Sequence, residues 1–205
     1  MSSDFQAAIS SPTGAYAEGL KFFRGVGMLN DALTKLANDL DRSGIEYVVI
    51  GAIALYQHGY RRFTGDIDIV LSLEGLEAFH EKLVGAFSGA RKKFRTTHEN
   101  VPIEIITSGE YPGDGLPKPV QFPQPETASE IIDGIKTITL ERLIELKPLA
   151  SGMTAADRLK DLADVQELIK LKSLDESFAD RLDPFVREKY LELYKAVAAA
   201  KKEID

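Results

Sequence analysis

Apolar residues recur every three or four positions between Met28 and Asp41, at Leu29, Leu33, Leu36, Ala37 and Leu40. That spacing predicts a helix with one buried stripe, ended by Ser43 and Gly44. The period then changes. "IEYVVIG" (45–51) is a β-rich run, "AIALYQH" (52–58) a short helix closed by Gly59, and "DIDIVLS" (66–72) a second strand. Helical spacing returns in "LEGLEAFHEKLVGAF" (73–87), with Leu76, Phe79, Leu83 and Phe87 facing inward. "RKKFRTT" (91–97) and "VPIEIITS" (101–108) read as further strands.

Five prolines between 110 and 126 (Pro112, Pro117, Pro119, Pro123 and Pro125) rule out a regular helix or a central strand there. A long surface crossing is expected; the alternative is a loop that covers a substrate, because long loops are disproportionately functional. "KTITLERLIELKPLASG" (136–152) gives a short strand and a helix with Thr139 as N-cap. Arg142 stands where a full capping box would need Glu or Gln, and Pro148 is expected to distort the helix. Helices follow over 153–172 and 183–202, the last with Asp183 as N-cap and Pro184 at its first position. The chain therefore divides into a flexible tail (1–14), an α/β domain (15–136) and a C-terminal helical region (137–205). It contains no internal repeat.

At 205 residues the chain can bury a proper core. The absence of cysteine excludes disulfides, thiolate chemistry and Cys-ligated zinc. The first residues lack a cationic and an apolar segment in signal-peptide order, and no apolar run would cross a bilayer, so a cytoplasmic protein with no membrane partner is expected. The net charge of −7 argues against a broad nucleic-acid surface but leaves room for a local basic groove. "RKKFR", with Arg91, Lys92, Lys93 and Arg95, is the best candidate; a solvated charge cluster is the plain alternative.

Candidate chemistry centres on Asp66 and Asp68. Two positions apart on a strand, they project from one face while Ile67, Ile69 and Leu71 face a core. Neighbouring carboxylates repel unless a cation separates them, and a hard divalent ion such as Mg²⁺ removes the conflict. The alternative is an edge strand with solvated aspartates. "DIDIVLSLEGLE" lacks the ligand positions of an EF-hand. Gly51 ends the preceding strand where a helix begins, a place that favours phosphate. Glu104, in "PIEII", is the one acid in an apolar strand-like run downstream; it is either a third carboxylate of the site or an outward strand residue. Asp157, Asp161 and Asp164 recur on one helix face with Arg158 and Lys160 nearby, as a plain solvated surface would have them. Lys147 stands among Leu143, Ile144 and Leu146. His58 reads as a helix-end residue, and His80 and His98 have no ligand spacing.

Gly51-Ala52 followed by Arg62-x-Thr64-x-Asp66-Ile67-Asp68 resembles the nucleotidyltransferase (polymerase β-like) superfamily. The Arg-x-Thr before Asp-Ile-Asp is similar to the AbiEii-type branch, which includes toxins of toxin–antitoxin and abortive-infection systems. "LERLIELKPLASG" and "RLKDLADV" also look like that branch, with its lysine on one helix and Arg-x-Lys-Asp-x-x-Asp on the next. The resemblance spans about residues 28–170. It implies an α/β (α+β) fold, a small mixed sheet flanked by helices and followed by a C-terminal helical region. It also implies transfer of an NMP group from an NTP to a small molecule, protein or tRNA, with Mg²⁺ or Mn²⁺ as cofactor and an antitoxin as a further partner. By position, Asp66 and Asp68 would hold the metal and Glu104 would act as third ligand or general base. Gly51 and Ala52 would approach the triphosphate, Arg62 and Thr64 would shape the site, and Lys147 would contact phosphate. Arg158, Lys160 and Asp161 would line the far wall. A catalytically inactive protein of this fold, binding nucleotide or a partner protein, is the rival expectation.

Overall fold

Two β-rich runs on either side of Gly51 and Gly65 pair antiparallel and form the centre of the molecule. The computed structural model describes residues 4–83, 85, 87–90, 92–113, 115–150 and 155–202. In it, β1 (Tyr47–Val49) pairs with β2 (Ile67–Leu71), Val48 opposite Val70. Outward from β2 lie β5 (Pro102–Thr107), β4 (Lys93–Thr96) and β3 (Phe87–Ala90); outward from β1 lie β7 (Ile135–Ile138) and β6 (Ser129–Ile132). The β2–β5 and β1–β7 pairs are parallel and the rest antiparallel, giving a mixed seven-stranded sheet.

Strand alternation buries both faces. Tyr47, Val49, Ile67, Ile69, Leu71 and Ile105 pack with the stripe of α3 (Met28–Arg42) and with Phe79 of α5 (Leu73–Leu83). Val48 and Val70, on the opposite face, pack with Leu143 and Ile144 of α7 (Leu140–Ala150) and Val165 and Leu168 of α8 (Ala155–Leu171). A 3-10 turn (Glu176–Arg181) leads into α9 (Pro184–Lys202), where the Asp183 carboxylate accepts from the Phe185 amide at 2.9 Å as an N-cap should. The fold is thus α/β with a mixed sheet and a helical C-terminal region.

Several expectations need correction. The segment expected as a flexible tail carries α1 (Phe5–Ile9) and the start of α2 (Pro12–Phe22). Asp4 caps α1 at Ala7, and Phe5 is fully buried with its amide on the Glu99 carbonyl at 2.7 Å. One aromatic anchor outweighs a polar composition. Phe87 opens strand β3 instead of extending α5. The boundary drawn between 136 and 137 falls inside β7, which the parallel pairing with β1 holds in the sheet. Strand β6 was not expected; it is joined to β7 by Asp133 and Gly134, at φ 51° and 81°, the backbone of a tight hairpin turn. The proline-rich crossing ends in α6 (Pro125–Ala128), begun by its last proline. Pro148 falls in the last turn of α7, which stays helical to Ala150. Among the described residues no helix is long and apolar enough to cross a membrane.

Candidate active site

Pairing of β1 with β2 carries the chain at Ile50 alongside Asp68, and the Ile50 amide donates to the Asp68 carbonyl at 2.9 Å. Gly51, the first residue of α4 (Gly51–Gln57), therefore lies against the Asp68 side chain. Its φ is +67°, and a Cβ there would stand 2.2 Å from Asp68 Oδ2. Both the backbone conformation and the contact demand glycine. The close approach made by Gly51 in this structure is to a carboxylate.

Asp66 precedes β2 and is exposed; Asp68 lies within it and is half-buried. Thr64 donates its hydroxyl to Asp66 Oδ1. The parallel register of β2 with β5 sets Glu104 beside Asp68, and Glu104 is exposed. Burial pushes the Asp68 carboxyl up to about 7, and the negative charges of Asp66 and Glu104 add to the rise; Lys147 and Arg62 partly offset it.

The cations are organised by an acid that the sequence did not place in the site. Asp164, on α8, is buried and accepts from Arg62 at 2.5 Å and from Lys147 at 2.9 Å. Asp161, one turn earlier, takes a further bond from Lys147 at 3.0 Å. The spacing of Asp157, Asp161 and Asp164 was the available signal. It reads equally as a solvated face, and only the partners distinguish the two.

These elements enclose a cleft of about 300 Å³. Asp66 and Asp68 line it together with Gly51, Ala52, Arg62, Thr64, Lys147, Lys160 and Asp161. The structure thus brings together nearly all the expected nucleotide-site residues. The side chain of Arg158 lies outside the described residues. Glu104 faces a second cavity of about 310 Å³, which shares Asp66 with the first and is lined by Lys93 and Arg95. Lys93 Nζ is 3.9 Å from its carboxylate. Among the described residues no group of three His, Cys, Asp or Glu converges to hold a metal ion. Glu104 accordingly stands beside the aspartate pair, turned to Lys93, and not in a closed shell with it.

The basic run does not act as one patch. Lys92 is tied to Glu110, Lys93 and Arg95 enter the second cavity, and Arg91 lies outside the described residues. His58 ends α4 as expected, buried and 2.7 Å from the Ile138 carbonyl.

Among solved structures, ANT(2″)-Ia in complex with adenylyl-2″-tobramycin is similar over 83% of this chain and 97% of its own, with 13% identity and a TM-score of 0.48. An antigenic nucleotidyltransferase-like protein from Paracoccidioides brasiliensis matches 69% of this chain and 75% of its own, at 16% identity and a TM-score of 0.44. JHP933 from Helicobacter pylori matches 82% and 78%, at 19% identity and a TM-score of 0.42. No family model and no curated protein matches the chain. At such identities and scores, the meaning of the site rests on its own residues.

Proposed function

We propose that the chain is a metal-dependent nucleotidyltransferase, moving an NMP group from an NTP to an acceptor hydroxyl or similar nucleophile. The observation that carries this is the Asp66–Asp68 pair in a cleft that Lys147 and Lys160 also line. The bond formed joins the acceptor oxygen to the α-phosphorus. The bond broken releases pyrophosphate.

The aspartate pair fits a hard divalent ion. Two carboxylates line one cleft, burial and the charges of Asp66 and Glu104 disfavour the ionised form of the inner one unless a cation joins it, and the cleft leaves room for phosphate oxygens and water. Mg²⁺ or Mn²⁺ bound there would neutralise developing charge on the phosphates. Lys147 and Lys160 would hold the triphosphate as point charges, with Arg62 and Thr64 fixing the wall around them. Glu104, in the adjoining cavity, would take the proton of the acceptor. The AbiEii-like arrangement of residues favours a cytoplasmic toxin acting with an antitoxin partner; a small molecule, a protein and tRNA all remain acceptors to be tested.

A second reading has its own support. Arg62 and Lys147 are already neutralised by Asp161 and Asp164, which suits a protein that binds nucleotide without turnover. The two separate in one experiment: α-labelled NTPs and Mg²⁺ are offered with a small-molecule extract, total protein and total tRNA. Label entering one fraction with release of pyrophosphate supports the transferase. NTP binding with no transfer to any fraction supports the inactive protein.

A further inference from the structure

A third recess opens beside the phosphate cleft and has an unrelated chemistry. It measures about 110 Å³ and shares Gly51 and Lys147 with the cleft; its other walls are Ile50, Phe122, Leu143 and Leu146. Among the described residues Lys147 contributes the only polar side chain of the recess, and two of the three N–H groups of its ammonium are held by Asp161 and Asp164. The other side chains of its described lining are apolar.

Phe122 comes from the proline-rich crossing, whose role the sequence left between a plain connection and a substrate cover. Its backbone is fixed on both sides: the amide donates to Glu110 O at 2.9 Å, and the carbonyl accepts from Gly109 N at 2.8 Å. Val120, two residues earlier, is buried in the helical core, and Phe122 packs against the same cluster. The ring is thus a preset wall at the end of the crossing. An apolar recess next to a cleft that holds Lys147, Lys160 and the aspartate pair suits a ligand with a phosphate end and a flat, weakly solvated end.

We propose that this recess holds the nucleobase of the NTP, stacked on Phe122 against Leu143 and Leu146, and that the base is held without its edge being read. The inference rests on the nucleotidyltransferase reading. It follows that the four common NTPs bind with similar affinity, because stacking on an aromatic ring tolerates every base.

The test is calorimetric titration of ATP, GTP, CTP, UTP and inorganic tripolyphosphate, each with Mg²⁺, into the wild type, Phe122→Ala and Phe122→Leu. Leu keeps the packing and removes the stacking face, so it guards against simple loss of fold. The expected result is a loss of about tenfold for all four NTPs in Phe122→Ala, a smaller loss in Phe122→Leu, and unchanged tripolyphosphate binding in both. An unchanged NTP affinity, or an equal loss for tripolyphosphate, would overturn the placement of the base. A wild type that prefers one NTP by more than about tenfold would overturn the absence of edge reading. A wild type that binds tripolyphosphate and no NTP more tightly than it would also overturn the base site. Failure to bind any of the five ligands would overturn the nucleotidyltransferase reading itself, which the other outcomes leave standing.

Discussion

Asp68→Asn should stabilise the metal-free protein, by an amount that grows from about pH 4 and is complete above about pH 7. In the folded chain the Asp68 carboxyl is pushed up from 3.8 to about 7. The folded state therefore holds a proton that the unfolded state has released across that interval. With more protons bound in the native state, stability falls as pH rises from about 4 to about 7 and then levels off. Three pH units at 1.36 kcal/mol each give about 4 kcal/mol; part of the side chain meets solvent in the cleft, which brings the expected penalty to about 2–4 kcal/mol. Asn keeps the shape and cannot ionise. Urea unfolding in chelator, at intervals between pH 4 and pH 8.5, should give curves that coincide near pH 4 and diverge by that amount above pH 7. Asp4 and Asp175, whose carboxyls are held below their usual range by hydrogen bonds, act in the opposite direction and only near or below pH 4, outside this window. Adding Mg²⁺ at pH 8 should raise the stability of the wild type and leave the variant unmoved. Parallel wild-type and variant curves across the range would refute the reasoning.

Gly51→Ala should cost about 1–2 kcal/mol through its left-handed backbone and should also drive the Asp68 carboxylate aside, weakening Mn²⁺ binding; the Mn²⁺ signal by electron paramagnetic resonance reports this. If the variant binds Mn²⁺ as the wild type does, the contact with Asp68 is not what fixes the ligand. Asp164→Asn should destabilise the chain by about 3 kcal/mol, because it leaves Arg62 and Lys147 short of a buried counter-charge, and should raise KM for NTP; unchanged urea midpoints would remove its organising role. Glu104→Gln should lower kcat while leaving NTP affinity in place, and should flatten the pH dependence of stability, since Glu104 contributes to the rise at Asp68; steady-state kinetics and the urea series check the two parts.

The centre of the fold was readable because it depends on local period. The stripe of α3 and the alternation in "DIDIVL" give their own burial: Ile67, Ile69 and Leu71 meet the α3 stripe on one face of the sheet, and Val70 is buried on the other. The aspartate pair followed from the same alternation. Phe87 fits a helical stripe and a strand equally, and its antiparallel partner Thr96 decides between them. Strand β6 is bounded by a local signal, the Asp133-Gly134 turn, but its four residues are too short to show a period of their own. The spacing around Asp164 did not distinguish burial from a solvated face, since its partner Arg62 lies 102 residues away. The reason for Gly51 was likewise hidden: only the register of β1 on β2 reveals that a methyl group there would strike Asp68.

Asp66 is exposed and outside β2, so changing it tests the chemistry with little effect on the fold. The direct measurement is Mg²⁺-dependent transfer of label from an α-labelled NTP, followed together with pyrophosphate, in the wild type and Asp66→Asn. The account predicts one pyrophosphate for each label transferred by the wild type, and loss of transfer in Asp66→Asn with an unchanged urea midpoint. Full turnover by Asp66→Asn would contradict it.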